Sequence, residues 1–128
     1  MLDDKELKKI ELRVVELVNE ERAKNGLNKL SVDDKLMDLA REKSRDMKDN
    51  EYFSHTSPTY GSAFDMINQK GITYTIAGEN IAKGQKTAEE VVLDWLNSKG
   101  HRENILNPSF TKIGVGLSGN LWTQMFIG

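Results

Sequence analysis

The last seventeen residues, "KIGVGLSGNLWTQMFIG", restrict the fold more than any other stretch. Ile113, Val115 and Leu117 alternate with Lys112, Gly114 and Gly116, and Gly119-Asn120 then turns the chain into "LWTQMFI". Period-two alternation on both sides of a Gly-Asn pair predicts an antiparallel hairpin. The two glycines leave one face of its first strand without side chains. Either another element approaches the sheet closely there, or the strand carries a bulge.

Upstream, the pattern changes to helical spacing. Leu7, Ile10, Val14, Leu17 and Val18 recur every three or four residues, which predicts a helix over 4–25 stopped by Asn25-Gly26. Asp3 and Asp4 suit its positive end, and Arg22 and Lys24 its negative end. Ser31 and Asp34 form an S-x-x-D box that predicts the start of a second helix. Leu36, Leu39, Ala40 and Met47 give that helix one apolar stripe, ending near Asn50. A third helix is expected over 62–69, burying Phe64 and Ile67. The run "ITYTIA" (72–77) reads as a strand. Thr87 and Glu90 cap a fourth helix that turns Val91, Val92, Trp95 and Leu96 inward and ends at Gly100. Four helices, one strand and a hairpin make an α+β chain, most economically a small antiparallel sheet covered by helices on both faces. The 128 residues suffice for one domain that buries roughly 65–70% of its unfolded surface.

Bulk chemistry excludes several functions. The net charge is −2 with no Lys/Arg run, which argues against a nucleic-acid partner. Apolar runs are too short for a transmembrane segment, and "MLDDKELKK" has no apolar signal core. The chain has no cysteine, so disulfides, thiolate metal sites and a cysteine nucleophile are all ruled out.

Three polar segments remain: "FSHTSP" with His55, "AGENIAKG" with Glu79 and "KGHRENIL" with His101. All three fall at predicted junctions between elements, where functional side chains are usually displayed. Each has an ordinary reading. His55 could bond the loop backbone, Glu79 could be solvated, and His101 could sit against a helix dipole. Together, two imidazoles and a carboxylate are also a known three-ligand set for zinc, or a metal-free acid/base pair. Ser54, Ser57 or Ser98 beside a histidine is a third option, but none lies in a nucleophile-elbow context.

In this order, "FSHTSP" (53–58), "GENIA" (78–82), "W-x-x-S-x-G-H-R-x-N-I-L" (95–106) and "IGVG" (113–116) resemble the bacterial branch of the CAP superfamily, the SCP domain. "LVNEERAKNGL" (17–27) and "L-x-x-x-A-R-x-K-S-x-D-M" (36–47) extend the resemblance to about residues 10–127. It implies a three-layer α-β-α sandwich over a single domain, 1–128. It also implies a central cleft that in many members displays two histidines and two acids. His55, Glu79 and His101 match three of these. The fourth position holds Ser98, a poor ligand and no base at neutral pH, so the tetrad is one carboxylate short for metal affinity and for hydrolysis. Asn80 and Asn104 are expected to satisfy backbone groups in the cleft walls, Arg102 to pair with a core acid, and Trp95 and Trp122 to be core. By resemblance the protein is a secreted or cell-surface monomer whose cleft binds a small apolar, peptide or cell-envelope ligand. It needs no cofactor, and the alternative is a zinc-dependent hydrolase using the two histidines.

Overall fold

A computed structural model describes residues 2–128. In chain order the elements are α1 (Asp4–Lys24), β1 (Ser31–Val32), α2 (Asp34–Asp49), α3 (Ala63–Gln69), β2 (Ala77–Lys83), α4 (Ala88–Leu96), α5 (Lys99–Ile105), β3 (Lys112–Ser118) and β4 (Leu121–Ile127). The sheet runs β1-β3-β4-β2. The β3–β4 hairpin and the β4–β2 pair are antiparallel, and the short β1 joins β3 in parallel.

Strand alternation divides the interior. On one face Ile113, Val115, Leu117, Trp122 and Phe126 pack with Val14 and Val18 of α1, Val91 and Trp95 of α4 and Ile105 of α5. On the other, Met125 and Ile127 meet Leu36, Leu39 and Ala40 of α2 and Met66 and Ile67 of α3. Helices therefore cover both faces of a mostly antiparallel sheet, a three-layer α+β sandwich. Close approach is the reason for the two glycines. A methyl group on Gly114 would collide with the Leu36 and Met37 backbone, and one on Gly116 with the backbone of Ala40 and Arg41. The α2 backbone rests directly on β3, so side chains are excluded at both positions.

Four local expectations need correction. Ser31 lies in β1, and the cap of α2 is Asp33, whose carboxylate accepts from Leu36 N–H at 2.9 Å. Only Ala77 of "ITYTIA" is in a strand. β2 instead runs through "AGENIAK", because β4 is a long, fully buried template whose register extends to Lys83. Phe64 is 48% exposed, while Ala63, Met66 and Ile67 fill the inner face of α3. Gly100 does not end a helix: α4 stops at Leu96 and Gly100 lies within α5.

Candidate functional site

Each polar segment is held by a different element. Glu79 lies in β2, and alternation turns it to the α2 face, in register with Met125. Asn80 points to the opposite face. His101 lies in α5 on that side, and His55 lies in the loop that leaves α2. Two segments read as loops, around Glu79 and His101, are thus regular structure, and their side-chain directions are set by the backbone.

His55 Nδ1 meets Glu79 Oε1 at 2.8 Å. With a carboxylate as acceptor, Nδ1 carries the hydrogen and Nε2 is the ring's free nitrogen. The His55 side chain is 59% exposed and that of Glu79 only 4%, so a buried acid orients an accessible imidazole. The bond from Glu79 raises the His55 pKa above the ordinary imidazole value, against the opposing effects of partial burial and of Lys43. Burial and then the charge of His55 lower the pKa of His101. The two imidazoles thus shift in opposite directions.

A network on α2 fixes the His55 loop. Asp46 accepts from Ser57 Oγ at 2.6 Å, from Asn50 Nδ2 at 2.7 Å and from the Tyr52 hydroxyl. Burial alone would raise the Asp46 pKa. The bonds from Ser57, Tyr52 and Asn50, together with Lys43, outweigh burial and hold it below the usual carboxylate range. Lys43 is fully buried, and its ammonium donates to the Tyr52 oxygen and the His55 carbonyl, each at 3.3 Å. Burial pushes its pKa down, and Glu79 and Asp46 push it back up. Lys43 and Asp46 are both fixed letters of the 36–47 motif, but the motif assigns neither of them a role. A signal existed: Lys43 sits four residues after Leu39 and four before Met47, on the apolar stripe, where a lysine must be paired. Ser57 Oγ donates to Asp46, and Ser54 Oγ accepts from Thr56 N–H at 3.2 Å; among the described residues neither hydroxyl is bonded to a histidine.

Asn80 and Asn104 tie β2 to α5 and β4. Asn80 Nδ2 donates to the His101 carbonyl at 3.1 Å and to Gln124 Oε1 at 3.0 Å, and Asn104 Nδ2 donates to the Glu79 carbonyl at 3.2 Å and to Asn80 Oδ1 at 2.9 Å. Trp95 and Trp122 are both 1% exposed. Arg102 is exposed and reaches no core acid. The buried arginine is Arg22, which donates to the carbonyls of Ile105 and Asn107 at 2.8 and 2.9 Å and ties α1 to the end of α5. Ser98 caps α5 in extended backbone conformation but makes no side-chain capping bond.

A zinc held by His55, His101 and Glu79 does not fit these residues. One Glu79 oxygen is bound to the His55 ring, and among the described residues no three His, Asp or Glu side chains converge so as to hold an ion. The other oxygen, Oε2, is buried and has no hydrogen-bond partner among the described residues. Among the described residues no helix is long and apolar enough to cross a membrane. A groove of about 570 Å³ on the outer face of α2 includes Arg41, Arg45 and Asp49 but neither histidine.

The model of the cysteine-rich secretory protein (CAP) family matches residues 15–126, and the chain belongs to that family. Among individual proteins it is 64% identical over 120 residues to YkwD of Bacillus subtilis, covering 92% of this chain and 47% of that protein. It is 41% identical over 130 residues to the membrane protein YlbC of the same organism, covering 98% and 38%. Among solved structures it resembles an extracellular SCP-domain protein of Bacillus anthracis (TM-score 0.92, 40% identity, 99% of this chain and 44% of that one). It also resembles an outer surface protein of Borrelia burgdorferi (TM-score 0.85, 28% identity, 98% and 95%). The chain spans less than half the length of the two Bacillus subtilis relatives.

Proposed function

We propose that residues 1–128 form one secreted or cell-surface binding domain, monomeric and without an obligatory cofactor. Its cleft, walled by His55, Glu79, Asn80, Ser98, His101 and Asn104, receives a small apolar, peptide or cell-envelope ligand. The observation that carries this reading is the exposed His55 imidazole, oriented by the buried Glu79 so that its Nε2 is left free. An oriented ring nitrogen at the surface can exchange a hydrogen bond with a ligand. Placement outside the cell is supported by two relatives, one described as an extracellular protein and one as an outer surface protein.

The test is titration of the ¹⁵N-labelled domain with muropeptides, fatty acids and short peptides. Binding should move signals from His55, Glu79 and His101 together and should be lost in Glu79→Gln. Ligands that move only distant surfaces would end the reading.

The second reading is a zinc-dependent hydrolase. It draws support from the free Nε2 of His55, because a carboxylate on the other ring nitrogen is a common way to orient a metal-binding imidazole. It lacks a third ligand and a free base. Calorimetry with zinc alone separates the two readings. The hydrolase requires tight binding that weakens below roughly pH 6.5 as imidazole protonates and that disappears in His55→Ala and His101→Ala.

A further inference from the structure

The two edges of the sheet are finished differently. β2 is one edge. Ile76 and Gly128 exchange both backbone bonds, and Gly84 N–H reaches the Asn120 carbonyl. Antiparallel alternation between those points turns the N–H and C=O of Gly78, Asn80 and Ala82 toward β4. It turns those of Glu79 and Ile81 outward. Their two carbonyls are occupied: Asn104 Nδ2 donates to Glu79 O at 3.2 Å and Trp95 Nε1 to Ile81 O at 3.1 Å. Their two N–H groups meet no acceptor among the described residues, although Glu79 and Ile81 are only 8% and 7% exposed. On the opposite edge, beyond the two residues of β1, the corresponding donors are capped. Val115 N–H reaches Met37 Sδ at 3.1 Å and Leu117 N–H reaches Glu11 Oε2 at 2.9 Å.

We propose that the outer edge of β2 forms the floor of the cleft and is a strand-addition site for an extended peptide. Peptide carbonyls accept from the N–H groups of Glu79 and Ile81. The two N–H groups are two residues apart on a strand, roughly 7 Å. That is the repeat of carbonyls along one side of another extended chain, and it is too long for one phosphate or carboxylate to bridge. Backbone donors left unpaired in a shielded position favour a ligand that supplies acceptors. Each occupied carbonyl retains a second lone pair, so the side chains of Asn104 and Trp95 do not forbid a weak ladder bond in return.

This proposal rests on the cleft being a binding site, and the test separates the two. Peptides are selected from a phage-displayed random dodecapeptide library on the immobilised domain, then synthesised and titrated into the ¹⁵N-labelled protein. The expected result is a downfield shift of the Glu79 and Ile81 amides with exchange slowed at least about tenfold, while Asn80 and Ala82, already in the ladder, change little. Ile81→Pro removes one donor without breaking a ladder bond, as an edge position allows, and should weaken peptide binding at least about tenfold. If that variant does not fold, the wild-type amide shifts decide. Recovery of no peptide, or of peptides that leave both amides unmoved, overturns strand addition. A lipid or glycan that moves the His55 and His101 signals but not those amides overturns it while leaving the binding-domain reading intact.

Discussion

Glu79 makes the His55 pKa informative about stability. A raised folded-state pKa means that protonated His55 stabilises the fold fully below the ordinary imidazole value, and that this contribution is lost as pH rises through the raised value. Replacing Glu79 with Gln removes the cause of the shift. Urea denaturation should therefore show a larger gap between wild type and Glu79→Gln at about pH 5.5 than at about pH 9. A gap independent of pH would detach Glu79 from His55. Asp46 has a different task, since it accepts three side-chain bonds and borders Lys43. Asp46→Ala leaves those donors without their acceptor and removes one of the two carboxylates that offset the Lys43 charge, and should cost about 3 kcal/mol. Amide exchange in the 50–61 loop should quicken in that variant, because the loop loses its anchor.

Glycines show how the same substitution changes sign with the element that carries it. Gly116 faces the α2 backbone at a distance no Cβ tolerates, so Gly116→Ala should destabilise the protein by about 2–3 kcal/mol. Gly100 sits inside α5 with open space where a Cβ would be, so Gly100→Ala should stabilise by about 0.5–1 kcal/mol. Thermal or chemical denaturation of both variants checks the pair, and equal effects would refute the packing account. The hairpin and α1 were legible because their signals are local, alternation and helical spacing, whereas the missing side chains of Gly114 and Gly116 left a close contact and a bulge both open. "AGENIAK" was not legible as a strand, because Gly, Glu, Asn and Ala have little strand preference. Pairing with β4 imposes the conformation from a distance. The S-x-x-D box at Ser31 misled for a related reason: β3 draws Ser31 into the sheet, and Asp33 supplies a better-placed cap.

Across the whole molecule, the sheet edge brings together groups far apart in the chain. His55 enters from the loop after α2 on one side, His101 from α5 on the other, and Glu79 lies between them on β2. The order of motifs in the sequence pointed to these three residues. It did not show that Glu79 binds the His55 ring rather than a metal, nor that Lys43 and Asp46 stand behind the loop, because such pairings depend on how α2 sits on the sheet. The same long-range logic holds at the other edge. Glu11 of α1, 1% exposed, takes the Leu117 N–H and a bidentate pair of bonds from Arg41. Glu11→Ala should therefore cost about 3–5 kcal/mol by denaturant titration, more than an exposed acid on α1 such as Glu20.

The most direct test of a site shared by His55, Glu79 and His101 is an NMR titration of the two imidazoles in the intact protein. His55 should titrate above the ordinary imidazole value and His101 below it. In Glu79→Gln the His55 midpoint should fall, and in His55→Ala the His101 midpoint should rise. Two histidines that titrate alike, or that ignore each other's removal, would contradict a shared site.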